Sequence, residues 1–230
     1  MMKRYNPLAT ACLSAMTVAF ATCQAQADAP DGTLAVEQDW RVELYSVSDP
    51  GRLTAPLFIS SFAVPNVSAL FQTTWNHRDI PGVEEGGIQL QAYSWFNLLE
   101  EREVLTPPWR DKLTSDHEVV TWTQRLHISS NDYVFTIKNI NGTTWGTIAG
   151  PYVVRRHFIY WAPTLEGYSF AEIKANSGIV MGTNRFKKLA ITTTRFYDGS
   201  GNLLKTDSDE HVLFAQPQNY QYFEFKKLEE

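Results

Sequence analysis

Residues 119–137 read VVTWTQRLHISSNDYVFTI, and this run decides the fold class. Val120, Trp122, Leu126 and Ile128 fall on one side of an extended chain, with Thr121, Thr123, Arg125 and His127 on the other. Successive side chains of a strand point to opposite faces, so a period of two marks a half-buried strand. Residues 129–132 supply turn chemistry, and Tyr133, Phe135 and Ile137 then resume the alternation. The segment therefore predicts a β-hairpin.

The pattern recurs in both directions. Trp40, Val42 and Leu44 share a face opposite Arg41 and Glu43, and Asp49-Pro50-Gly51 ends that run as a turn. Leu57–Val64, closed by Pro65-Asn66, and Ala69–Trp75 are the next two strands, and residues 79–87 form a loop rich in Gly and Pro. Ile88, Leu90 and Ala92 alternate with Gln89, Gln91 and Tyr93. Residues 139–150 are turn-rich; 152–161, 188–197 and 210–216 complete the strong strands, with 198–202 as a hairpin loop. Asn97 with Glu100 resembles a capping box and predicts one short helix over 98–105, stopped by Pro107-Pro108. Residues 218–228 read as a last edge strand or a tail. Many short strands with little helix predict an all-β, antiparallel two-sheet sandwich of jelly-roll-like type, with a closed barrel as the alternative.

The first 27 residues have a different character. Lys3 and Arg4 precede an uncharged, mostly small or apolar stretch from residue 7 to 22, and Ala25-Gln26-Ala27 follows. This is the layout of a secretory signal peptide, with cleavage expected after Ala27 and an exported domain over 28–230. The alternative is lipidation at Cys23, for which Phe20-Ala21-Thr22 makes a poor lipobox. Cys12 and Cys23 are the two cysteines, so the mature domain would hold no disulfide. Cleavage removes two cations and no anion, taking the formal charge from −5 to −7. An acidic domain without a basic run is a poor partner for nucleic acid. No later stretch is long and apolar enough to span a bilayer as a helix.

A set of short segments in the C-terminal half carries a resemblance. Asn141-Gly142-Thr143-Thr144-Trp145-Gly146-Thr147, Leu165-Glu166-Gly167-Tyr168, Ala175-Asn176-Ser177-Gly178-Ile179 and Asn184-Arg185 resemble a pattern in exported bacterial β-sandwich domains. The resemblance implies fold and export, and no catalytic role.

Chemistry-bearing residues are scattered. Seven tryptophans lie beyond the signal: Trp40, Trp75, Trp95, Trp109, Trp122, Trp145 and Trp161. Most are expected in the core, Trp122 among them, because large aromatics fill the space between sheets. Trp95 instead continues the phase of Gln89, Gln91 and Tyr93. Two amides, a phenol and an indole along one strand make a candidate ligand platform, since aromatic faces cover a sugar ring while amides bond its hydroxyls. The competing expectation is a solvated outer face.

His127, His157 and His211 lack metal-ligand spacing, so no metal or other cofactor is expected. The acids Glu84-Glu85 and Glu100-Glu101-Glu103, with His77-Arg78-Asp79, do not form the strand-borne carboxylate pair of a glycosidase. Arg125, His127, Arg155, His157 and Tyr197 are a candidate set for a polysaccharide lyase. No activated serine or cysteine motif is present. The leading expectation is an exported, non-catalytic binding domain for a glycan or a cell-surface partner. A jelly-roll polysaccharide lyase or glycoside hydrolase comes second, and a structural or assembly subunit of an envelope or extracellular complex third.

Overall fold

Period-two alternation is realised as two antiparallel sheets facing one another across an aromatic core. The structure, a computed structural model, describes residues 28–46, 56–64, 69–75, 87–93, 99–105, 113, 115–157 and 164–216. The expected signal peptide with Cys23, the turn at 49–51, the loop over 79–86, Trp95, Trp109, Trp161 and the stretch 218–228 lie outside these residues.

The strands are β1 (Ala35–Leu44), β2 (Leu57–Val64), β3 (Ala69–Trp75), β4 (Ile88–Tyr93), β5 (Leu99–Leu105), β6 (Val119–Ser129), β7 (Asp132–Gly142), β8 (Gly146–Ile148), β9 (Tyr152–His157), β10 (Gly178–Met181), β11 (Phe186–Tyr197), β12 (Leu203–Asp207) and β13 (His211–Ala215). The larger sheet runs β12-β11-β1-β6-β7-β8, with β13 also on β11 and β9 also on β7. The smaller runs β10-β2-β3-β4-β5. The hairpin predicted from residues 119–137 is β6 with β7, where Leu126 faces Phe135 and Ile128 faces Tyr133.

The core forms where the inner faces meet. Trp122 of the larger sheet is 2% exposed, and its ring lies 4.2 Å from that of Trp75 and 5.9 Å from that of Phe58, both on the smaller sheet. Trp40, cross-strand from Trp122, stacks on it at 5.5 Å. Phe62 and Phe71 meet Phe135 in the same way further along. Aromatic pairs at these separations add to the burial of their apolar area.

Two amides interrupt this apolar layer. Gln38 and Gln124 are cross-strand partners on the inner face and fully buried. Gln38 donates to Tyr168 Oη at 2.6 Å, and its Oε1 accepts from Trp40 Nε1 at 3.0 Å and from Gln124 Nε2 at 2.9 Å. Gln124 also donates to the Ser61 carbonyl on the smaller sheet at 3.3 Å. Buried polar groups are tolerated when each finds a partner, and here the partners span both sheets.

The helix expected over 98–105 is a correction. Residues 99–105 form β5, the edge strand beside β4. Its leucines, glutamates and arginine favour a helix locally, but pairing with β4 overrides propensity. Register places Glu101 opposite Ala92 and Glu103 opposite Leu90, on the inward face. Both carboxylates reach the free edge of β9: Glu103 Oε2 accepts from the Val153 N–H at 3.0 Å, and Glu101 Oε2 from the Arg155 N–H. The seam closes one side of the sandwich with side chains instead of a ladder, and inward-pointing charge is a known guard of sheet edges.

The helix of the described residues is α1 (Phe170–Asn176), capped by Ser169, whose side chain accepts from Ala171 N, with Ile173 buried beneath it. Ser177 at its end bonds Ser61 on β2. The segments that carry the family resemblance are anchors of this kind. Thr144 is held by the fully buried carboxylate of Glu118, and buried Arg185 donates to the carbonyls of Tyr45 and Leu113 at 3.0 Å each.

Candidate functional site

Of the expected platform, Gln89, Gln91 and Tyr93 lie in one row on β4, but not an open one. Gln89 is 1% and Gln91 7% exposed, so the expectation of a solvated outer face is corrected at these two amides. Gln91 Oε1 accepts from Thr74 Oγ1 at 3.1 Å, and the Gln91 side chain bonds the Tyr93 phenol. Tyr93 is half-buried, and burial pushes its phenol above the usual range against the opposing pull of Arg102 and Gln91. Among the described residues Gln89 Oε1 meets no hydrogen-bond partner. Trp95 lies outside the described residues.

The outer face of the larger sheet holds a second arrangement. β1 sits between β11 and β6, and its outward residues Glu37, Asp39, Arg41 and Glu43 form a charged row. Cross-strand register puts Glu37 between Arg195 and Arg125. Glu37 accepts from Arg195 Nη1 at 3.1 Å and Lys138 Nζ at 2.8 Å, with Arg125 Nη1 at 3.8 Å. Asp39 is bonded by Arg195 and by Thr123 Oγ1 at 2.9 Å. Each pair is partly solvated and contributes little stability alone, about 0–1 kcal/mol. Together they fix the side chains in place.

Two β-bulges lie at the same level of this face. One falls between Asp39 and Trp40 in the β1–β11 ladder and the other between Thr121 and Thr123 in the β6–β7 ladder. Bulges bend the strand and re-aim side chains. Here they leave a shallow depression of about 290 Å³. Its polar lining is Asp39, Arg41, Thr121, Thr123, Asn139 and Thr192, above Trp40 and Trp122. Asn139 enters with φ of 54°, a left-handed conformation that asparagine tolerates better than most residues. Hydroxyls, an amide and a held carboxylate offer both donors and acceptors to a polar ligand.

Further along the same face, the sheet gathers four residues singled out from the sequence. Tyr197, Ala35 and His127 are cross-strand neighbours, and His127, Val134 and Arg155 continue that row. Arg125 lies two residues from His127 on the same face, its guanidinium 4.9 Å from the centre of the Tyr197 ring. Burial, then the cations of Arg125 and Arg155, pushes the His127 imidazole below its usual range, and its Nδ1 meets no partner among the described residues. His157 is taken up by Asp132 at 2.9 Å and His211 by Asp207 at 2.8 Å. Among the described residues no three His, Cys, Asp or Glu side chains group to hold a metal ion.

Sequence reasoning missed Glu37, Asp39, Asn139 and Thr192. Alternating charge on β1 was a readable signal for the first two. The bulges that admit the others depend on register between distant strands. No family model, curated protein or solved structure matches the chain, and the likeness of its C-terminal half to exported β-sandwich domains rests on the quoted residues alone.

Proposed function

We propose that the chain is an exported, non-catalytic binding domain whose ligand is a glycan of the cell surface or its surroundings. One observation carries the reading: the depression at the paired bulges, lined by Thr121, Thr123, Asn139, Thr192, Asp39 and Arg41, where Asn139 is exposed and the Thr123 and Thr192 hydroxyls are fixed by bonds to Asp39. Sugar hydroxyls need such mixed donors and acceptors at fixed positions. Export rests on Lys3, Arg4, the uncharged stretch after them and Ala25-Gln26-Ala27. The platform Gln89, Gln91, Tyr93 and Trp95 is the less accessible choice, since two of its amides are buried.

A glycan array with protein beginning at Asp28 is the test. Asn139→Ala with Thr192→Val should weaken binding about tenfold, the scale of one or two lost hydrogen bonds, at unchanged thermal midpoint. Binding that survives this pair and falls with Tyr93→Ala and Trp95→Ala would move the site to β4. A second reading, a polysaccharide lyase, is favoured by the gathering of Arg125, His127, Arg155 and Tyr197 on one face. Unsaturated product that disappears in His127→Ala would establish it.

A further inference from the structure

We propose that the glycan recognised by this face is anionic, its carboxylate or sulfate groups held by Arg125 next to the polar depression and by Arg155 further along the same face. The inference rests on the binding reading above and names the ligand class.

The first support is charge. The chain carries a formal −5, yet this part of the sheet presents Arg125, Lys138, Arg155 and Arg195 against Glu37, Asp39 and the Glu101 carboxylate bonded at the Arg155 N–H, a local +1. Depression of the His127 pKa, in which Arg125 and Arg155 take part after burial, is consistent with that local field.

The second support is availability. Arg155 is exposed, and among the described residues no carboxylate pairs with its guanidinium. Its backbone N–H is fixed by Glu101, so the free side chain projects from an anchored strand. Arg125 is 3.8 Å from Glu37, too far for a hydrogen bond, and rests against the Tyr197 ring. Arginine presents a planar fork that matches carboxylate and sulfate oxygens in pairs.

The third support is spacing. Along the row Tyr197, Ala35, His127, Val134, Arg155, the small Ala35 and Val134 separate the larger side chains. Strands lie about 4.8 Å apart, so Tyr197, His127 and Arg155 stand at intervals of about 10 Å. That interval suits alternate units of an extended sugar chain. Arg125 next to the hydroxyl- and amide-lined depression and Arg155 further along the face offer an extended charged sugar two cations. A nucleic acid would demand a longer basic track, and Leu203, Leu204, Val212 and Val180, which could anchor in a lipid surface, belong to β12, β13 and β10.

Calorimetry decides the matter with four probes: an oligogalacturonate, its neutral methyl ester, a sulfated oligosaccharide and an uncharged glucan, at low salt and at about 0.3 M. At least one anionic probe should bind about tenfold more tightly than its neutral counterpart and weaken with salt. Arg155→Ala should remove most of that preference, bringing the acid and its ester to similar affinity. Arg155→Lys, which keeps the charge and loses the fork, should keep part of it and checks that the fold is intact. Equal affinity for acid and ester, or a preference that survives Arg155→Ala with Arg125→Ala, overturns the inference while leaving glycan binding in place. Silence toward all four probes, or binding only to phosphatidylglycerol vesicles, overturns both.

Discussion

Trp122 shows what a single side chain contributes to this sandwich. Its indole meets Trp40 on its own sheet and Trp75 and Phe58 on the opposite one, and its N–H points to Gln124 Oε1 at 3.4 Å. Trp122→Ala should cost about 3–5 kcal/mol by urea unfolding, the range for deleting a buried large aromatic. A loss below about 1 kcal/mol would mean that the strand phase is wrong. The phase of Trp122 was legible because its neighbours alternate cleanly. Gln124 was not, because a glutamine on an apolar face has no meaning until Gln38 and Ser61 converge on it from elsewhere in the chain. Tyr168→Phe should cost about 1–3 kcal/mol, since it strands the buried Gln38 amide. His127 gives a pH signature. Its folded pKa is depressed, chiefly by burial, so the unfolded chain takes up a proton first as pH falls. Its contribution is complete above the ordinary histidine pKa of about 6.5 and is lost as pH falls below it. The drop in urea midpoint between neutral and mildly acidic pH should therefore shrink in His127→Gln.

Among the elements, β5 marks the limit of local pattern. Its sequence LEEREVL mixes strong helix formers with inward-facing acids, so periodicity and propensity both mislead. The acids make sense only beside β9, whose edge N–H groups they satisfy some 50 residues later in the chain. Glu101→Ala with Glu103→Ala should accelerate amide hydrogen exchange at Val153 and Arg155 while leaving the β6–β7 ladder protected. Uniform acceleration across both ladders would show that the seam is not a separate local contact. Strands β2 and β3 were legible to the residue because apolar runs end in marked turns. Strand β12 was not: its five residues are mostly exposed, and it is fixed by pairing with β11 rather than by burial. The loop before it could be read, because Asp198 accepts from the N–H groups of Ser200 and Asn202 and from the Asn202 amide, ordinary short-range chemistry for an aspartate in a turn.

For the whole molecule, the division into two sheets followed from alternation, but the order of strands did not. The candidate binding face depends on that order, since Arg195, Glu37, Arg125 and Lys138 come from four strands of the larger sheet. The central position of β1 has a further consequence, for the timing of folding. Strands β2 to β5 pair with sequence neighbours and can assemble as they emerge. β1 waits, because its partners are β6 and β11, and the second is not complete until Tyr197. Long-range closure of this kind is slow relative to local hairpins. A chain truncated before Phe186 should therefore lack the near-ultraviolet circular dichroism of a packed aromatic core. For a protein proposed to leave the cell through a channel that passes only unfolded polypeptide, the delay is useful. The larger sheet closes only after β11 has emerged, so the aromatic core between the two sheets would be completed on the far side of the membrane.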